Sequence, residues 1–122
     1  ELLEIKCTGH RQKAKELSGG NQQKICLAKA FALEPNLLFV SEPTRGIDVG
    51  AKKLVLDKLR HYNRDEGTTI VMVSSELEEL RAICDRVAIV DEGRIAGILP
   101  PEAPLADFGL LMAGERAAEA SA

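Results

Sequence analysis

The chain has 122 residues, enough for one domain with a modest core. Apolar residues make up 45% and charged residues 29%, which excludes a disordered polyelectrolyte. The net charge of -3 and the pI near 5.4 leave no electrostatic footprint for nucleic acid or an anionic membrane, and no apolar run approaches the ~20 residues of a membrane span.

The opening "ELLEIKCTGH" has no initiating methionine and reads as though it begins within a helix, so the chain is expected to be a piece of something longer. "LSGG" then precedes "NQQKICLAKAFALEPN", a helix with Ile25, Ala28 and Ala32 on one face that must stop at Pro35. "LLFV" follows, a short wholly apolar run of the type buried on both faces of a parallel sheet. Asp48 is placed to cap "GAKKLVLDKLRHYNRD", in which Val55, Leu59 and Tyr62 recur at helical spacing before Gly67 ends the helix. "TTIVMV" is a second buried strand. Ser75, with Glu78 three residues on, has the pattern of a capping box for "ELEELRAIC". "RVAIV" and "RIAGIL", joined through Asp91-Glu92-Gly93, predict an antiparallel hairpin, and the tail beyond "LPPEAP" carries one apolar cluster of Leu105, Phe108, Leu111 and Met112. This order predicts an α/β domain that lacks its first half.

The only aromatic residues are Phe31, Phe39, Tyr62 and Phe108, so the core is expected to consist mostly of Leu, Ile, Val and Ala. Cys7, Cys26 and Cys84 are widely spaced with no Cys-x-x-Cys and read as reduced packing residues; no metal site is expected.

Ser18, Gly19 and Gly20 open a helix. The first backbone N–H groups of a helix have no internal partner and carry the positive end of its dipole, so glycines and a hydroxyl there suit an anion such as phosphate. An ordinary loop and N-cap is the alternative reading of the same residues. "GIDVGAKK" is not a phosphate loop, because Gly46 and Gly50 are four apart rather than five and Lys52 is followed by Lys53 rather than a hydroxyl residue.

"LSGGNQQK", "LLFVSEPTRGID" and "IVMVSSE" together, in this order and spacing, resemble the ABC-type ATPase domain. The resemblance runs from end to end of the chain and is strongest to the second, C-terminal ABC copy of two-domain sugar-import subunits of the ribose, galactose and xylose type. It implies a partial P-loop NTPase fold, with a mostly parallel sheet, flanking helices and a C-terminal hairpin, and with the phosphate-loop half absent. Residues 1–99 then form the C-terminal portion of the ABC domain and 100–122 a tail. Leu17, Ser18, Gly19, Gly20 and Asn21 fall at the signature, Glu42 at the catalytic glutamate, and Arg45, Gly46, Ile47 and Asp48 in the D-loop. Three positions depart from the family pattern: Asn21 stands where the signature usually has Gln, Ser41 stands where an Asp holds Mg²⁺ through its water shell, and Ser75 stands at the switch histidine. The resemblance further implies ATP and Mg²⁺ in the intact assembly with none on this chain alone. It implies a partner ABC domain, permease subunits and, indirectly, a periplasmic or lipoprotein sugar-binding protein, at the cytoplasmic face of the membrane. No nucleic acid is expected. A soluble ABC ATPase of translation or DNA repair, and a noncatalytic interaction module, are the competing functional readings.

Overall fold

The computed structural model describes residues 19–114, with side chains from Lys24 onward. The element order is α1 (Gly19–Ala32), β1 (Leu37–Ser41), α2 (Val49–Arg64), β2 (Thr69–Val73), α3 (Leu77–Ile83), β3 (Val87–Asp91), β4 (Arg94–Leu99) and α4 (Leu105–Met112). The chain divides after Ser75 into two compact units.

In the first unit β1 and β2 pair in parallel, with Leu37 opposite Thr69 and Ser41 opposite Val73. A parallel pair needs a crossover, and α2 supplies it. Its start is set by Asp48, whose carboxylate accepts the Ala51 N–H at 2.9 Å. Val55 and Leu59, one helical turn apart, are each almost wholly buried, a burial that stabilises by about 1.5–3 kcal/mol per side chain. At the near end of the strands Thr68 stitches the layers together. Its hydroxyl donates to the Pro35 carbonyl (3.0 Å) and its own carbonyl accepts from the Asn63 amide (2.9 Å).

Three expectations change here. The buried face of α1 carries Lys24, Leu27 and Phe31, one residue and hence about 100° away from the Ile25, Ala28 and Ala32 stripe. The reason is Phe31, whose ring stacks on Tyr62 (centroids 3.9 Å apart, 9° between planes) and outweighs the small alanines. The strands are not buried on both faces either. Alternate side chains Leu37, Phe39, Val71 and Val73 are 50%, 70%, 42% and 58% exposed, because α2 lies against β2 and no described element covers the other side of the pair. Cys26 is exposed rather than packed.

In the second unit β3 and β4 form the expected antiparallel hairpin, with Val87 opposite Leu99 and Asp91 opposite Arg94. A bulge between Ile89 and Val90 re-phases the ladder, so that Gly97 faces inward against Leu111. A methyl group on Gly97 would lie 2.8 Å from a Leu111 methyl carbon, so a larger residue there makes the Leu111 side chain shift. Val87, Ile89, Ala103, Phe108 and Leu111 make the core, with Leu77, Leu80 and Cys84 packed against it. Phe108 has no exposed surface, whereas Leu105 and Met112 of the expected tail cluster are exposed. The buried core is mostly Leu, Ile, Val and Ala, as expected, with one buried phenylalanine in each unit. Arg81 reaches across this unit, donating to the carbonyls of Pro101 (3.0 Å) and Ala103 (3.3 Å) with its guanidinium over the Phe108 ring. Burial beside Asp85 pushes the Cys84 thiol pKa up.

Candidate nucleotide-associated site at the strand ends

Parallel strands of an open α/β sheet present their carboxyl ends to ligands. In the first unit these ends are Ser41 and Val73, and the residues just past them are the ones that the sequence singled out. Glu42 is the first residue beyond β1 and has a left-handed backbone, φ 47°. A side chain other than glycine takes that conformation only when its surroundings hold it there. Here the Glu42 N–H donates to the Val73 carbonyl (2.7 Å) and the Glu42 carbonyl accepts from the Arg45 N–H (3.1 Å). The side chain reaches the end of β2 as well. Its Oε1 accepts the Ser75 N–H at 2.8 Å and its Oε2 faces the Ser75 hydroxyl at 3.4 Å.

This corrects the expectation for Ser75. The N-cap residue of α3 is Glu76, and its side chain makes no capping bond. The helix starts one residue later than the pattern predicts, so Ser75 lies before its cap, and its N–H and hydroxyl donate to Glu42. Sequence reasoning missed this pair. The parallel register, which puts the residue after Ser41 at the same edge as the residues after Val73, shows only in the fold.

The remaining residues divide by role. Pro43, Thr44 and Ile47 are buried and anchor the segment after Glu42. The Ile47 N–H donates to the Thr44 carbonyl at 3.2 Å, and Gly46 has φ 74°, which makes the turn possible. Arg45 and Gly46 are left at the solvent surface, while Asp48 is occupied as the cap of α2. Ser41 is exposed at the strand end, opposite Val73. Leu17 and Ser18 lie outside the described residues. Gly19, Gly20 and Asn21 form the first turn of α1, so the helix does open where the sequence places it.

A family model described as ABC transporter matches residues 2–45. The chain is 46% identical over 99 residues to the ribose import ATP-binding protein RbsA of Bacillus cereus (strain ZK / E33L), covering 81% of this chain and 20% of that protein. It is 48% identical over 99 residues to the D-allose import ATP-binding protein AlsA of Escherichia coli (strain K12), covering 81% of this chain and 19% of that protein. The chain thus spans about a fifth of the length of these curated relatives. Among solved structures, the ATP-binding cassette MJ0796, in a dimeric post-hydrolysis state bound to ADP and Pi, superposes with a TM-score of 0.76 at 23% identity, covering 84% of this chain and 44% of that one. A metal-chelate type ABC transporter in an inward-facing conformation superposes with a TM-score of 0.66 at 24% identity, over 74% of this chain and 36% of that one. The superpositions show the fold, and the sequence matches, at 46–48% identity over 81% of the chain, make it a fragment of an ABC transporter ATPase domain.

Proposed function

We propose that this chain is the C-terminal portion of the second ABC domain in the energy-coupling ATPase subunit of a bacterial importer for simple sugars, with residues 1–99 belonging to the domain and 100–122 to its tail. The observation that carries the reading is the 46–48% identity to ribose and allose import ATP-binding proteins across four fifths of the chain. The segment after β1 and the strand-end Glu42 support it. The partners are a second ABC domain and membrane permease subunits, with a sugar-binding protein indirectly, and the place of work is the cytoplasmic face of the membrane. Among the described residues no helix is long and apolar enough to cross a membrane.

In this reading Leu17 to Asn21 act in trans. The start of α1 offers unpaired N–H groups and the Ser18 hydroxyl to the terminal phosphate of ATP held by the partner domain. One preorganised donor of this kind stabilises a transition state by about 3 kcal/mol. The chain's own site is the weaker of the two. Mg²⁺ is held by one or two carboxylates together with phosphate oxygens. Ser41 supplies no charge, and Glu42 is already engaged by Ser75, so these residues fit the metal poorly. Among the described residues no group of three His, Cys, Asp or Glu could hold a metal ion. Glu42 is the candidate base of that site, Arg45 to Asp48 its D-loop, and Ser41 and Ser75 its altered positions.

The decisive experiment is Ser18→Arg in the intact subunit. A bulky cation at the start of α1 should remove most ATP hydrolysis although the substituted half has no complete site of its own. Undiminished hydrolysis would leave the signature a relic and the chain an interaction module. The isolated chain should bind MgATP weakly and not turn it over; low-micromolar affinity with steady turnover in calorimetry and phosphate release would contradict this.

A further inference from the structure

We propose that Arg45 recognises the terminal phosphate of a nucleoside triphosphate, its guanidinium making the subunit prefer ATP to ADP. The inference rests on the functional reading above and deepens it by assigning the cation that the strand-end segments otherwise lack. The chain runs on from β1 and β2 as Ser41 to Asp48 and Ser74 to Glu76, and in these stretches Arg45 is the one basic residue. A triphosphate brought to the carboxyl edge of the β1–β2 pair meets Ser41, Glu42 and Ser75, two hydroxyls and a negative charge. Mg²⁺ is held poorly there without the carboxylate that Ser41 replaces, so the charge of the phosphate must be answered by a side chain.

Arg45 differs from an ordinary surface arginine in how its backbone is held. Thr44 before it is 2% exposed and Ile47 beyond it 8%, whereas Arg45 itself is exposed. The Arg45 N–H donates to the Glu42 carbonyl (3.1 Å) and the Ile47 N–H to the Thr44 carbonyl (3.2 Å), so the main chain beneath the arginine is fixed from both sides. Among the described residues no carboxylate pairs with its guanidinium, while Arg81 is engaged by the carbonyls of Pro101 and Ala103 and by the Phe108 ring. The base of the side chain is thus placed and its head is uncommitted. A planar guanidinium meets two phosphate oxygens at once, and such charge-assisted bonds are about twice as strong as neutral ones. With the turn already ordered, the contact costs only the freezing of the arginine's own rotamers. The carboxyl ends of parallel strands are also where open α/β sheets take their ligands.

The test measures the equilibrium affinities of the intact subunit for ATP and for ADP, with Arg45→Ala and, as a control of equal charge, Arg94→Ala from the exposed hairpin. Arg45→Ala should weaken ATP binding roughly 10- to 100-fold, the range for hydrogen bonds to a charged group, and leave ADP binding within about twofold. Arg94→Ala should leave both affinities unchanged. Equal losses for ATP and ADP, no loss for either, or a matching loss in Arg94→Ala overturns the proposal. So does a loss of affinity that tracks a lower thermal midpoint, since removing an exposed side chain should not unfold the protein. Repeating the comparison in the Ser18→Arg background separates the two sources of the phosphate. An ATP-specific loss that persists there assigns Arg45 to the nucleotide of this chain's own site, and one that disappears assigns it to the partner domain's. Undiminished hydrolysis in Ser18→Arg refutes the functional reading instead, and the ATP and ADP affinities of Arg45→Ala alone still decide the role of the arginine.

Discussion

Glu42 and Glu92 occupy equivalent local positions. Each is the first residue past a five-residue strand, β1 or β3, and the two have nearly the same backbone, φ 47° and φ 46°. The paths of the chain beyond them differ. After Glu92 the chain reverses at once: Gly93 has φ 75° and Arg94 pairs with Asp91, so two positive-φ residues form the tight turn that suits a twisted hairpin. After Glu42 the chain runs through buried Pro43 and Thr44 to the cap of α2; besides a local bond from the Arg45 N–H to its carbonyl, Glu42 bonds residues near the end of β2, 31 to 33 positions away in sequence. The same left-handed geometry is thus a turn requirement in one place and a tertiary constraint in the other. Local strain that local structure explains carries no functional message; strain held by distant partners does.

The largest expected effect tests how far the Glu92 turn is self-sufficient. A two-stranded hairpin alone is marginal in water, so β3–β4 should depend on Phe108 beneath it, the fully buried centre of its core. Phe108→Ala should destabilise the second unit by about 3–5 kcal/mol, measured by denaturant unfolding of the protein with hydrogen exchange to localise the loss. If the hairpin amides kept their protection, the turn would be sufficient by itself and the contrast with Glu42 would sharpen. If protection at Glu42 and Ser75 were lost as well, the comparison would break, because the two places would then share one stability.

How much was legible in the sequence obeys the same division. Asp48 before α2 and Asp91-Glu92-Gly93 between β3 and β4 are short-range patterns whose partners lie within three residues, and each forms as its spacing predicts. Ser75 with Glu78 is just as good a short-range pattern, yet it fails: α3 starts one residue later, with Glu76 at its cap, and Ser75 donates to a carboxylate 33 residues away. The face of α1 was misjudged for a related reason. Its alanines give a weak stripe, and only the ring of Tyr62 on α2 decides that Phe31 turns inward. Fold class was readable since strand and helix periodicities are local; the Glu42–Ser75 pair was not, since nothing in either segment names the other.

The middle prediction concerns Glu42 itself. Glu42→Ala removes both contacts to Ser75 but leaves the main-chain bonds to Val73 and Arg45 in place. The pair is open to solvent on one side, so the loss should be modest, about 1–1.5 kcal/mol. Hydrogen exchange of the Ser75 amide should speed up, while Glu42→Gln, which keeps an acceptor for that N–H, should leave it slow. An unchanged Ser75 amide in Glu42→Ala would mean that the carboxylate is not what holds it, and the tertiary half of the comparison would fall.

The smallest effect comes from making the same change at both glutamates. Asn tolerates the left-handed region better than Glu, and Asn-Gly is the preferred pair for a two-residue hairpin turn. At position 92 the side chain is exposed and the conformation is set by the turn, so Glu92→Asn should relieve strain and lose nothing, a gain of about 0.5–1 kcal/mol. Glu42→Asn should relieve a similar strain, but the shorter side chain no longer spans to Ser75, so the gain is offset and the net effect should be a small loss. The measurement is the urea midpoint of each variant at constant slope. Opposite signs support the division between a turn glutamate and a tethered one; a rise in midpoint for both would show that Glu42 is strained for local reasons alone, and its backbone would then say nothing about a site.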